Sequence, residues 1–130
     1  MIDHYTLLVS NYEASKSFYL KALAPLGYTL FREVTREQVP VLPVKIVCGL
    51  GSGGLPHLWL RPSDNIAPTH IAFRAADRGA VRAFHEAALS AGGKDNGPPG
   101  IRERYHANYY GAYALDPDGN NVEVVCHNPE

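Results

Sequence analysis

Two short segments of the chain carry apolar residues at every second position, the pattern of a β-strand with one buried face. These positions are Tyr5, Leu7 and Val9 in the first segment and Ile71, Phe73 and Ala75 in the second. Each segment is followed by Asn11 or Asp77, whose short side-chain oxygen can cap a helix by accepting a free backbone N–H of its first turn. The pattern therefore predicts a strand followed by a helix, twice.

After each cap, apolar residues recur at helical spacing and form one face. The face is Ala14, Phe18, Ala22 and Leu23 in the first helix, and Ala80, Val81, Phe84, Ala88 and Leu89 in the second. Gly27 and Gly93 are predicted to close these helices. Further strands are predicted near 28–34, 44–48 and 58–60 in the first half, and near 93–94, 109–115 and 122–126 in the second, with turns at 95–100 and 116–120.

The two halves are related by an offset of 66 residues, which pairs His4 with His70 and Phe18 with Phe84. Each half then has the order βαβββ. The prediction is an α+β fold in which two tandem βαβββ modules, about 1–64 and about 67–130, form a curved mixed sheet around a cavity within a single domain, 1–130.

The same offset pairs His57 with Glu123, so that potential metal ligands fall at four related positions. Because side chains alternate along a strand, His4, His70 and Glu123 should point away from the helices. We therefore expect His4, His57, His70 and Glu123 to meet in one metal-binding cavity. Imidazole nitrogens and a carboxylate suit a divalent Zn, Ni, Fe, Co or Mn ion, and the residues do not choose among them.

The net charge and composition favour small molecules over nucleic acids or membranes as binding partners. The formal net charge of −1 provides no general attraction to nucleic acid or to an anionic membrane. The two cysteines form no CxxC pair, and no apolar run approaches the roughly 20 residues that span a bilayer. We expect a cytoplasmic protein with a small-molecule substrate and no nucleic-acid or membrane partner.

Three segments, IDHYTLLVSNYEASKSFY, THIAF and DPDGNNVEVV, together resemble the vicinal oxygen chelate superfamily. That superfamily includes glyoxalase I, extradiol dioxygenases, fosfomycin-modifying enzymes and bleomycin-binding resistance proteins. The resemblance implies that His4, His70 and Glu123 are metal ligands and that His57 falls where glyoxalase-like members place a fourth. A register shift would put Trp59 in the cavity in place of His57. The resemblance also implies a homodimer.

The segment 102–113 is dense in aromatic and titratable side chains and is a candidate wall for the substrate. Tyr110 and His106 are candidate acid–base residues, and Arg104 and Tyr109 are candidate substrate contacts. The alternative is that the tyrosines only reflect strand propensity and pack across the sheet.

The expected function is a metal-dependent, glyoxalase-like lyase or isomerase that acts on a small substrate with vicinal oxygens, with Glu123 or His57 moving the proton. Two alternatives stay open. One is an iron-dependent enzyme of the extradiol dioxygenase type, for which His4, His70 and Glu123 suffice. The other is a metal-free protein that binds an aromatic or cationic small molecule, as bleomycin-binding relatives do.

Overall fold

A computed structural model describes residues 1–130 and has the predicted βαβββ order twice. The first module contains β1 (Tyr5–Val9), α1 (Tyr12–Ala22), a short 3-10 helix (Ala24–Leu26), β2 (Thr29–Thr35), β3 (Ile46–Gly51) and β4 (Leu58–Pro62). The second contains β5 (His70–Arg74), α2 (Arg78–Ser90), β6 (Lys94–Ile101), β7 (Tyr110–Leu115) and β8 (Asn121–Cys126). No helix is long and apolar enough to cross a membrane.

Each module forms its own four-stranded sheet, with the strand orders β1-β4-β3-β2 and β5-β8-β7-β6. The pairs β1/β4 and β5/β8 are parallel and the other pairs are antiparallel, so both sheets are mixed. The predicted α+β class and the tandem modules are therefore confirmed. In each sheet the first and last strands of the module lie side by side, which brings the two ends of the module together.

Both predicted caps begin their helices. The Asn11 side chain accepts the backbone N–H of Ala14, and the Asp77 side chain accepts that of Ala80. The predicted end of α2 is wrong in detail, because Gly92 and not Gly93 adopts the left-handed conformation, with φ of 95°. Gly93 is required for a different reason: a Cβ there would lie 2.8 Å from the carbonyl oxygen of Ala88.

The segment 95–100, predicted as a turn, is part of β6. This strand lies at the edge of its sheet, and its register against β7 shifts twice, between Asp95 and Gly97 and between Gly97 and Gly100. An edge strand tolerates Pro98 and Pro99, which have no N–H to donate, because one side of the strand needs no partner. The prolines and glycines therefore mark a bulged edge strand rather than a break between strands.

The helices join the two modules through one core of 21 buried residues drawn from both. Helix α2 contacts α1 and strands β6, β7 and β8, and α1 contacts β4. Leu7 and Val9 of β1 belong to this core, whereas Thr6 and Leu8 are exposed. In β5 Phe73 is buried while Ala72 and Arg74 are exposed. Each sheet thus packs one face on the core and leaves part of its other face open.

Candidate functional site

Glu123 is the central residue of the candidate site. It lies in the middle of β8 with only 2% of its surface exposed, and its Oε2 is 2.8 Å from Nε2 of His70 at the start of β5. The parallel pairing of β5 with β8 matches His70 to Asn121 and Ala72 to Glu123, so that residues 70 and 123 share one face. Two of the predicted ligands are therefore adjacent.

The hydroxyl of Tyr109 donates to the other oxygen of Glu123. Burial, followed by the hydrogen bond to Glu123, raises the pKa of the Tyr109 phenol well above its usual value. The phenol therefore keeps its proton at neutral pH and remains a donor. His70 and Tyr109 approach different oxygens of Glu123, which accounts for a carboxylate in a nearly water-free position.

The other buried carboxylate of the chain, Asp116, has a structural role. Its oxygens accept the backbone N–H groups of Asp118 and Asn120 and the hydroxyl of Tyr19. Asn120 in turn accepts the N–H of Thr69, the residue before His70. The motif DPDGN thus forms a tight turn that ties α1 and the start of β5 to β8, and it places His70 rather than taking part in chemistry.

His4 lies on the other sheet. Its side chain is half exposed, bonds to Asp3, and borders a cavity of about 260 Å³. The cavity is further lined by Thr6, Trp59 and Arg61, by residues 42–44 of the connection between β2 and β3, and by residue 47 of β3. No three or more His, Cys, Asp or Glu side chains of the chain are grouped so that they could hold a metal ion. The expectation that four ligands meet in one cavity of a single chain is therefore wrong.

The pairing of His57 with Glu123 is also corrected by the strand register. Thr6 pairs with Trp59, and Ala72, which is 66 residues after Thr6, pairs with Glu123. Trp59 and not His57 is therefore the structural equivalent of Glu123, because the connection between β2 and β3 (36–45) is two residues longer than the one between β6 and β7 (102–109). The ring of His57 instead lies 5.9 Å from that of Tyr28. The alternative register, with Trp59 in the cavity, is the one observed.

The candidate acid–base residue Tyr110 faces away from Glu123. Its ring lies under the guanidinium groups of Arg78 and Arg82 on α2, at 5.0 and 5.8 Å, and its hydroxyl accepts from Arg82. This placement corrects the expectation that Tyr110 lines the cavity. Alternation along the strand explains the result, because consecutive residues point to opposite faces and Tyr109 takes the position at Glu123.

His106 lies behind Tyr109 and does not contact Glu123. Its Nε2 is 2.8 Å from Nδ1 of His127, and the two rings stack at 5.1 Å. The ring of Tyr109 packs against both imidazoles. Burial, and then the electrostatic effects of the neighbouring Arg74 and His106, lower the pKa of His127. The two histidines therefore support the position of Tyr109, and it is Tyr109 that contacts the Glu123 carboxylate.

Arg104 borders a second cavity, of about 360 Å³, next to His70. Arg102 and Tyr113 line the same cavity, and the ring of Tyr113 lies 6.3 Å from that of His70. Arg102 was not singled out from the sequence. The sequence feature that could have indicated Arg102 is the pair of glycines just before it, Gly97 and Gly100, because both leave room for its guanidinium group.

The donor set of the second module fits a divalent ion. Ligands that are adjacent on one ion, each about 2.0–2.2 Å from it, lie about 3 Å apart. Nε2 of His70 and Oε2 of Glu123 are 2.8 Å apart, and the buried carboxylate has the charge that such an ion needs. One more imidazole would complete a set of two histidines and one carboxylate.

Comparisons with known proteins agree with this fold. A family profile described as the Glyoxalase/Bleomycin resistance protein/Dioxygenase superfamily matches residues 1–124. A glyoxalase/bleomycin resistance protein from Albidiferax ferrireducens T118 is similar, with a TM-score of 0.73 and 26% identity over 98% of both chains. A domain from Frankia sp. EAN1pec shares the fold, with a TM-score of 0.74 at 14% identity over 98% of both chains.

A mutant of glyoxalase I from Zea mays is also similar, with a TM-score of 0.70 and 27% identity. The match covers 95% of this chain and 46% of the maize chain, so this chain corresponds to about half of that protein. A search of curated proteins finds no match.

Proposed function

The chain belongs to the glyoxalase, bleomycin resistance protein and dioxygenase superfamily, and from this premise we propose that it is a metal-dependent lyase or isomerase of the glyoxalase type. The observation that carries the proposal is Glu123, a buried carboxylate whose two oxygens meet His70 and Tyr109. A carboxylate in this position favours a site that holds positive charge. The substrate would be a small molecule with two adjacent oxygens.

The proposed ligand set is His4, His70 and Glu123, with His4 supplied by a second copy of the chain. His4 and the His70–Glu123 pair border separate cavities on the two sheets. These faces of the two sheets are solvent-exposed at Thr6, Leu8, Ala72 and Arg74. In a twofold dimer the His4 face of one copy would cover the His70 face of the other, and each dimer would contain two such sites.

When bound, the ion would polarise the two adjacent oxygens of the substrate. Glu123 would take a proton from the carbon next to a carbonyl group and return it to the neighbouring carbon, a shift that consumes no other reactant. Tyr109 keeps its proton and holds the carboxylate in position.

Metal binding and proton exchange test the proposal. Protein freed of metal by a chelator is titrated with Zn²⁺, Ni²⁺, Co²⁺, Mn²⁺ and, without oxygen, Fe²⁺. We expect one ion per chain, and Glu123→Gln and His70→Ala should weaken binding by more than the about 10- to 100-fold seen for outer partners of a metal site. His85→Ala is a matched control, because His85 bonds Asp95 and neither residue lines either cavity.

The loaded protein is then incubated in D₂O with 2-hydroxy ketones and with thiol adducts of 2-oxo aldehydes. Deuterium should enter at the carbon next to the carbonyl group, and Glu123→Gln should abolish this. A protein that binds no ion but binds a bleomycin-like cation would contradict the proposal and support the metal-free alternative.

A second candidate is an iron-dependent dioxygenase of the extradiol type. The observation that favours it is Trp59 at the position equivalent to Glu123, which leaves three proposed ligands rather than four. Two histidines and one carboxylate with open positions are the ligand set of non-haem iron oxygenases. Oxygen uptake with catechols, by protein loaded with Fe²⁺ and not with Zn²⁺, would favour this candidate over the lyase.

A further inference from the structure

Arg102 is held in one place beside the candidate site. Its Nη2 donates to the carbonyl oxygen of Pro98 at 2.7 Å, and its guanidinium lies over the ring of Tyr113 at 5.4 Å from the centroid. Tyr113 also borders His70. An arginine that is bonded and stacked in this way loses little further freedom when it binds a ligand.

Two glycines of the edge strand β6 make the space for this side chain. A Cβ at Gly100 would lie 3.0 Å from Nη1 of Arg102, and a Cβ at Gly97 would lie 3.3 Å from Nη2. A methyl group at Gly100 would require the guanidinium to move by a few tenths of an ångström. The bulged, glycine-containing strand therefore determines where the positive charge sits.

This charge has no carboxylate partner. None of the six ion pairs of the chain involves Arg102 or Arg104, and no Asp or Glu lines the cavity that both arginines border. The remaining polar side chains on its wall are His70, Asn96, Tyr105, Tyr113 and Asn121. By contrast, Arg78 and Arg82 on α2 pair with Glu130. The wall thus combines two unpaired cations with groups that can donate hydrogen bonds.

We propose that this cavity binds an anionic oxygen group, a carboxylate or a phosphoryl group, on the substrate that His70 and Glu123 act on. The identity of that substrate rests on the proposed function. Arg102 would provide the main contact, because its planar fork matches the oxygens of either anion. Arg104, whose guanidinium lies over the Tyr105 ring at 4.9 Å, would add a second positive charge. The substrate class is then a small anion with two adjacent oxygens some distance from its charged group.

The test uses the whole metal-free protein, with phosphate and malonate as probes and neutral malonamide as a control. Binding is followed by backbone amide NMR shifts at constant ionic strength. We expect saturable binding of at least one anion, with the largest shifts at residues 96–105, and no binding of malonamide. Whichever anion binds more tightly identifies the group as phosphoryl or carboxylate.

Arg102→Gln should weaken anion binding by about tenfold or more. Gly100→Ala keeps every charge but displaces the guanidinium, and it should weaken binding by about threefold or more. Arg82→Gln, which removes an equal charge from α2, should leave binding unchanged. Thermal melting of each variant checks its fold, and Gly100→Ala carries the test if Arg102→Gln does not fold.

Unchanged binding in Arg102→Gln or Gly100→Ala would overturn the proposal, as would an equal loss in Arg82→Gln or no anion binding by the native protein. The ion titrations are measured separately. Anion binding without metal binding supports the anion site and contradicts the proposed function. Metal binding without anion binding supports the proposed function and contradicts the anion site.

Discussion

Trp59 of β4 and Glu123 of β8 occupy equivalent positions in the two modules, since each lies opposite the same residue of its module's first strand. The Trp59 ring lies directly over Gly49, where a Cβ would come within 3.0 Å of it. One module therefore provides a carboxylate at this position and the other an apolar wall. This asymmetry reduces the proposed ligand set to three residues.

His57→Ala should leave metal binding within about twofold of the native value, because its ring lies beside Tyr28 and borders neither cavity. His4→Ala should weaken it by about tenfold or more. Calorimetric titration with Zn²⁺ and Co²⁺ compares the two variants. A large loss in His57→Ala would return His57 to the ligand set.

A mixture of His4→Ala and Glu123→Ala proteins should recover metal sites that neither variant has alone. If each site takes His4 from one copy and Glu123 from another, a heterodimer contains one intact site and one site lacking both ligands. Random exchange of subunits then restores about one quarter of the native sites. The bound metal is counted after unfolding, mixing and refolding.

A site built within one chain predicts a different result for this mixture, because no exchange of subunits can then restore a ligand. Refolded mixtures with no tightly bound metal would therefore rule out the shared site. Each variant refolded alone is the control.

Tyr109→Phe should destabilise the metal-free protein by about 1–3 kcal/mol, because it removes the hydroxyl that bonds the buried carboxylate of Glu123. It should also weaken metal binding. Urea unfolding followed by circular dichroism measures the first effect. The control is Tyr105→Phe, an exposed neighbour whose loss should change the unfolding free energy by less than about 0.5 kcal/mol.

Tyr19→Phe should cost about 1.5–3 kcal/mol of unfolding free energy without altering either cavity. The hydroxyl of Tyr19 donates to Asp116 at 2.5 Å, both residues are buried, and the bond joins α1 to the turn before β8. Tyr5→Phe, at an exposed tyrosine, should be within about 0.5 kcal/mol of the native protein. Equal stability of the two variants would show that the turn does not depend on this bond.

Glu33→Gln should lower stability at pH 7 by about 0.5–1 kcal/mol and have no effect near pH 2. Lys16 and then Tyr12 donate to Glu33, which holds the pKa of its carboxyl below the usual 4.5. The contribution is thus present above the usual pKa and is lost as pH falls through the lower pKa of the folded state. Urea unfolding from pH 7 to pH 2 measures it, with exposed Glu37→Gln as the control.

The sequence alone determined the modules and their elements. Alternation predicted β1 and β5, and Asn11 and Asp77 predicted where both helices begin, because these signals depend on neighbours within a few residues. The prediction failed at β6, where prolines are tolerated only because the strand lies at an edge. An edge position is a property of the sheet and not of the segment.

Only the tertiary structure decided how the candidate ligands are arranged. His70 and Glu123 meet because β5 pairs with β8, and Trp59 replaces His57 because the connection between β2 and β3 has two more residues than the one between β6 and β7. His4 lies on a separate sheet from His70 because each module forms its own sheet. The helices pack the two modules together through the core and do not join the sheets. Strand pairing and module packing depend on contacts between distant residues, and a repeat in the sequence does not specify them.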